Sequence, residues 1–312
     1  MQKYVLSSLL VAGMSPLAVS AQSAPQGFEY SGYVEFSSLY SDGDSETLGR
    51  TEIDLAYNNL FGNFGFSLGI DAFSFDGETE SEIYPAFTYS AGDHLFSFGM
   101  TRSVLDGSYL PMGQVLGSSF IDLEAVGATG SYLGTVLLFS GDDVRNLGAR
   151  WDGEFGATRV GLSYNQLEPD SGDTVDAFGF AIRHEIDAIS SFADMAFFGG
   201  FEKLDVPGDS ANSWVIGLEG AANQFVYGLS FGESDFLFDS WARTWVDYKI
   251  TERATLSAEL ISVDAGSNEM LYSVGASYNI WEGLVAEVNF IDGDDFDDSL
   301  TEFSLRYELY SN

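Results

Sequence analysis

Apolar and polar positions alternate with a period of two along almost the whole chain. Phe64, Phe66, Leu68, Ile70 and Ala72 are separated by Gly65, Ser67, Gly69 and Asp71. Leu284, Ala286, Val288 and Phe290 bracket Glu287 and Asn289, and Phe303, Leu305, Tyr307 and Leu309 alternate with Glu302, Ser304, Arg306 and Glu308. Such segments are strands with one oily and one wet face. The pattern predicts sixteen: 28–40, 49–58, 63–74, 82–90, 94–101, 145–152, 157–165, 175–184, 190–201, 211–220, 223–232, 238–250, 253–263, 270–280, 283–291 and 300–310. The connection 102–144 is far longer than usual, and loops of that size tend to be functional. Within it Phe120 to Val126 and Thr135 to Phe139 also read as strands, so that eighteen is the alternative count.

Alternation alone does not say whether the oily face meets a protein core or lipid. Three features choose lipid. Strands of about 9–11 residues suffice to cross a tilted bilayer path. Aromatic residues gather near strand ends, among them Tyr30, Tyr40, Tyr57, Phe64, Tyr89, Trp151, Tyr164, Trp214 and Tyr248, as interfacial girdles require. Connections also alternate: long acidic ones at Asp42 to Glu46, Asp76 to Glu82, Glu168 to Asp176, Glu202 to Asp209, Glu233 to Asp239, Asp264 to Glu269 and Asp292 to Asp298, and tight ones between them. Long outer loops with short inner turns belong to an all-β transmembrane antiparallel barrel, and an even strand number brings both termini to the same side.

Composition narrows the picture. The 312 residues hold 48 acidic and 12 basic side chains, for a formal charge of -36, which repels phosphate backbones and excludes nucleic acid as a partner. The absence of cysteine excludes disulfides and thiolate metal sites. Met1 and Lys3, the apolar run Val5 to Ala12, and Val19-Ser20-Ala21 have the layout of a secretory signal peptide, so residues 1–21 are expected to be removed and 22–312 to form the barrel.

The signal peptide, the sixteen alternating segments, the long connection after the fifth strand and turns such as Phe155-Gly156-Ala157-Thr158 together resemble the general diffusion porins of alpha-proteobacteria. The resemblance implies that 102–144 folds into the lumen as a constriction loop, which favours sixteen strands over eighteen. It further implies a homotrimer in the outer membrane of a Gram-negative bacterium. The family's last strand usually ends in Phe, whereas this chain ends Leu309-Tyr310-Ser311-Asn312.

An arginine facing lipid at mid-bilayer costs about 2–4 kcal/mol, so bases should fall on the wet parity. Arg50, Arg150, Arg159, Arg183, Lys249 and Arg306 do, and Arg243 shares its parity with Trp241 and Trp245. Arg102 and Arg145 flank the long connection, which carries Asp106, Asp122, Glu124, Asp142 and Asp143. We expect wall arginines to face loop carboxylates across a constriction, giving a transverse field that orients polar solutes. The Debye length, about 8 Å at physiological ionic strength, lets such a field persist in a narrow section. Hydrated or structurally paired arginines are the plainer reading.

The cluster Asp292, Asp294, Asp295, Asp297 and Asp298 lacks the EF-hand spacing and reads as solvated loop carboxylates, with loose divalent cation binding, and through it bridging to lipopolysaccharide, as the alternative. His94 and His184, the two histidines, have no serine partner in sequence, and no phosphate-binding glycine loop follows a strand, so neither enzyme chemistry nor a cofactor is expected. The sequence thus points to a water-filled channel for passive diffusion of small hydrophilic solutes and ions, cations favoured. The alternative is a non-conducting structural or adhesin-type barrel.

Overall fold

The computed structural model describes residues 27–41, 44–75, 78–105, 109–110, 144–169, 174–186, 194–235, 238–264, 268–294 and 299–310. In chain order the strands are β1 (Phe28–Ser41), β2 (Asp44–Phe61), β3 (Phe64–Phe75), β4 (Glu78–Ala91), β5 (His94–Gly99), β6 (Val144–Phe155), β7 (Thr158–Pro169) and β8 (Val175–Ile186). They continue as β9 (Asp194–Val206), β10 (Asp209–Ala222), β11 (Phe225–Ser234), β12 (Phe238–Lys249), β13 (Ala254–Asp264), β14 (Asn268–Trp281), β15 (Leu284–Gly293) and β16 (Leu300–Tyr310). Each pairs antiparallel with its sequence neighbours, and β1 pairs with β16 from Ser31↔Tyr310 to Tyr40↔Thr301, closing a sixteen-stranded barrel.

The eighteen-strand alternative is excluded by this order. β5 and β6 pair directly, from His94↔Gly153 to Gly99↔Gly148, leaving no place between them for two more strands.

Register sorts side chains into an inner and an outer set that holds around the circle. Arg306, Glu35, Arg50 and Phe73 are successive partners, as are Ser97, Arg150, Ser163, Gly179, Glu202, Ser213 and Ser234. Partners share a face, and these face inward. The opposite parity exposes an apolar belt that includes Phe87, Phe98, Leu147, Phe231, Val274, Phe303 and Leu305. At the short-turn end of the wall aromatic rings pack side by side: Phe64 against Tyr89 at 5.0 Å, Phe225 against Tyr248 at 4.9 Å, and His94 against Trp151 at 5.9 Å. This is the girdle that the sequence placed at strand ends. Gly92 and Gly156 start two of the tight turns at this end, both at φ 62°, a left-handed backbone that glycine enters without steric cost.

Strand ends differ from expectation at the acidic connections. β1 and β2 stay paired out to Ser41↔Asp44, β3 and β4 to Phe75↔Glu78, and β9 and β10 to Val206↔Asp209. Acidic residues counted as loop therefore belong to long hairpins; the stretch Glu202 to Asp209 reduces to the turn Pro207-Gly208. Solvated carboxylates read as loop because polarity, not pairing, dominates a sequence pattern. β2 has 18 residues in consequence.

β5 is the exception, with 6 residues. Its last pair is Ala86↔Gly99, and Met100 N donates to the Pro85 carbonyl at 2.9 Å. Pro85 has no N–H to return, so the ladder stops there. Gly99, at φ 135°, would bring a Cβ to 2.6 Å of the Pro85 oxygen, and the chain leaves the wall for the interior.

The inward and outward sets make opposite responses to charge. Leu229→Arg, outward in the middle of β11, is expected to lower the unfolding free energy by about 2–4 kcal/mol in phospholipid vesicles. Val226→Arg, inward on the same strand, should change it by about 0.5 kcal/mol or less in the same equilibrium denaturation.

Candidate functional site

The segment after β5 runs along the inner wall. Thr101, Ser103, Val104, Leu105, Tyr109 and Leu110 are all buried. The Thr101 carbonyl accepts from Asn165 Nδ2 at 2.6 Å and from Asn146 Nδ2 at 3.3 Å. Ser103 Oγ donates to Glu202 at 2.8 Å, its carbonyl accepts from Arg150 at 3.0 Å, and Val104 N donates to Ser163 Oγ at 3.2 Å. Leu105 and Leu110 pack with Phe198, Val215, Trp241 and Trp245, so the anchoring on β10 and β12 is apolar. The segment, eleven residues from Met100 to Leu110, is thereby tied to strands from β6 to β12.

Space for it comes from inner-face glycines. A Cβ at Gly69 would lie 2.8 Å from Arg102 Cζ, one at Gly161 2.9 Å from Tyr109 Cζ, one at Gly179 3.1 Å from Ser103 Oγ, and one at Gly200 would overlap Leu105. These glycines were missed by the sequence reading, which named only Gly69, as a small residue between apolar positions. Their signal was parity: each falls on the inward register.

Arg102 reaches the other way, toward β2 and β3. It donates to Asp71 from Nε at 3.1 Å, forms a second bond to the same carboxylate, pairs with Asp54, and lies 5.0 Å over the Tyr84 ring. Burial works against the charge of this guanidinium, and Asp71, Asp54 and Glu52 overcome it, raising its pKa above the ordinary arginine value. Tyr109 donates to Asp152 at 2.9 Å; burial first, and then that carboxylate, push its phenol upward, so it remains a donor at neutral pH.

Two polar cavities lie on either side of Tyr109 and Leu110. The first, about 690 Å³, is bordered by Tyr109 and by Glu52, Asp54, Asp93, Asp152 and Glu154, with Arg102, Arg150 and Arg159. The second, about 650 Å³, is bordered by Leu110 and by Glu219, Asp247, Glu252, Glu287 and Glu308, with Lys249, Arg253 and Arg306. Acids outnumber bases around each.

The sequence-predicted residues divide accordingly. Arg150 borders the first cavity and chelates Asp152, with Nη2 at 2.8 Å; Arg159 lies 5.6 Å over the Tyr109 ring. Arg183, opposite Arg159 in register, bonds Glu185 at 2.8 Å and also Glu219. Arg306 borders the second cavity and pairs with Glu287 at 3.0 Å and Glu308 at 3.6 Å. Arg50 faces inward opposite Glu35, 5.5 Å over the Tyr33 ring. Arg243 also faces inward, but it is paired with Glu259 and both side chains are 2% exposed, which removes it from contact with solvent. Arg145 takes the outward parity. Asp106, Asp122, Glu124, Asp142 and Asp143 lie outside the described residues, as do residues 1–21 and Asp295, Asp297 and Asp298. Among the described residues no group of three or more His, Cys, Asp or Glu side chains is placed to hold a metal ion.

Comparison with protein-family models and with curated proteins returned no match. Solved structures do match in fold. A triple mutant of the Rhodopseudomonas blastica porin superimposes with a TM-score of 0.66 at 16% identity, covering 90% of this chain and 100% of that one. A double mutant of the same porin gives a TM-score of 0.67 at 16% identity with the same coverage. A structure described as "Asymmetric conductivity of engineered proteins" gives 0.66 at 15% identity, again over 90% and 100% of the two chains. The chain is therefore similar in fold to porin barrels over nearly its full length.

Asn165 Nδ2 has three acceptors, the Thr101 carbonyl and hydroxyl and Asn146 Oδ1. Asn165→Leu strips them of that donor and is expected to cost about 1–3 kcal/mol in chemical denaturation. Cleavage between residues 101 and 144 by added protease should accelerate in the same variant.

Proposed function

We propose that this protein is an outer-membrane porin, a water-filled channel for passive diffusion of small hydrophilic solutes and ions, with cations preferred. The observation that carries the reading is the pair of acid-rich cavities inside a closed barrel whose outer face is apolar. Sixteen strands enclose more room than wall side chains fill, so an aqueous path is the default for a barrel of this size. An excess of carboxylates along it raises the local cation concentration. Conductivity is named for one of the solved structures of similar fold.

Export by residues 1–21, assembly as a homotrimer, and contact with outer-membrane lipid and lipopolysaccharide through loosely held divalent cations at the acidic rim complete the proposal. The inward arginines act within it mainly as tethers. Arg150 binds the Ser103 carbonyl and Arg183 spans two carboxylates, while Arg102, Arg150 and Arg159 border one cavity together with Glu52, Asp54 and Asp93.

One observation favours a non-conducting structural barrel instead. Near the hairpin end the inner face carries buried apolar clusters, Leu39, Leu48 and Phe73 on β1 to β3, and Ile261 and Ile291 on β13 and β15. Planar bilayers separate the two readings. Stepwise conductance with a reversal potential favouring cations in a salt gradient is expected; a silent bilayer would establish the structural reading, and a reversal potential favouring anions would remove cation preference. Arg102→Gln withdraws positive charge beside Asp54 and Asp71 and should move the reversal potential further toward cations. Replacing Asp122 and Glu124 by Asn and Gln should move it toward anions, and an unchanged ratio would place both away from the constriction.

A further inference from the structure

Each of the two cavities is bordered by an aromatic ring that lies against a wall glycine. Tyr109 borders the first and Trp245 the second. On β7, a Cβ at Gly161 would meet Tyr109 Cζ at 2.9 Å and Cε2 and Oη at 3.0 Å. On β11, a Cβ at Gly228 would overlap the six-membered ring of Trp245, which sits directly opposite in register on β12 and leans across the ladder. Trp241 repeats the arrangement over its own partner, Gly232, where a Cβ would lie 2.5 Å from Cζ2.

Neither Gly161 nor Gly228 has a left-handed backbone, so conformation does not demand glycine at either position. Space does. Arginine guanidinium groups lie over both rings, Arg159 at 5.6 Å from the Tyr109 centroid and Arg243 at 5.5 Å from Trp245. Tyr109 is further pinned by its bond to Asp152, and Trp245 by packing with Leu105 and Leu110. With the sheet behind it, a ring lifted from its glycine has the bordering cavity as its way out.

We propose that Gly161 and Gly228 are positioning residues that set the width of the channel: by recessing Tyr109 and Trp245 into the wall they keep the two cavities open. The inference rests on the porin reading. Carbon contacts settle at about 3.5–4.0 Å, so even alanine lifts the Tyr109 ring by roughly 1 Å and the more deeply seated Trp245 ring further, and valine adds to both.

The test is single-channel conductance in planar bilayers, with liposome swelling in sugars of increasing size. Gly228→Val and Gly161→Val should each lower conductance by a factor of about two and reduce the largest permeant sugar, and together they should lower it further. Adding Trp245→Ala to Gly228→Val should restore conductance to the wild-type level or above. Gly199→Ala is the control, because that glycine takes the outward parity and its Cβ would meet its nearest neighbour at an ordinary 3.5 Å. A conducting wild type with unchanged valine variants overturns the inference, as does a loss that Trp245→Ala fails to rescue. Should Gly228→Val yield no folded barrel, Trp245→Ala alone decides: a raised sugar limit supports the inference and an unchanged one overturns it. A silent wild type would instead overturn the porin reading itself.

Discussion

An unpaired backbone N–H or C=O in hydrocarbon costs several kcal/mol, and a sheet with free edges has a row of them. The β1 to β16 ladder, ten pairs from Ser31↔Tyr310 to Tyr40↔Thr301, removes both edges at once. Everything else depends on it. Once the sheet is closed, parity decides which side chains face outward and which line the interior, and a slip of one residue anywhere would exchange the two sets. The interior is then a place where charges, glycines and a crossing segment can be arranged without contact with lipid.

That crossing segment is held by unlike interactions on its different sides. Hydrogen bonds from Asn165 and Arg150, and from Ser103 to Glu202, fix residues 101 to 104 against β6, β7 and β9, and leucines fix 105 and 110 against the indoles of β12. Arg102 extends to carboxylates on β2 and β3. Its ion pairs are partly shielded from water, where charge-assisted bonds are stronger than at a surface. Arg159 and Arg183 stand directly opposite each other, an arrangement that would be unfavourable without partners. Glu185 and Glu219 neutralise Arg183, and the Tyr109 ring lies under Arg159, so the wall accommodates a local concentration of positive charge inside a strongly acidic molecule.

Much of this was legible in the sequence because period two maps directly onto parity. The sixteen strands, and the inward register of Arg50, Arg150, Arg159, Arg183, Arg243 and Arg306, follow from counting alternate residues. What counting does not reveal is depth and contact. Arg243 shares its parity with residues bordering the second cavity, yet it is buried, paired with Glu259 and lying over the Trp245 ring. Strand ends at Asp44, Glu78 and Val206 were hidden because hairpins carry the same acidic residues as loops. Leu39, Leu48 and Phe73 run against the rule that the inner face is wet, and their cover is a tertiary property. Glycines were visible as small residues, but their function as recesses depends on which ring lies over them.

The central claim is that one parity of these strands meets lipid while the other borders aqueous space. The chain has no cysteine, so single cysteines can be placed without background. On β12, Asp247 and Lys249 border the second cavity, while Val246 and Tyr248 are exposed on the outer face. With the protein in vesicles, cysteines at 247 and 249 should react with a charged, membrane-impermeant thiol reagent, and those at 246 and 248 should react only with a lipid-soluble one. Equal labelling of all four by the charged reagent, or labelling of 246 and 248 alone, would contradict the account.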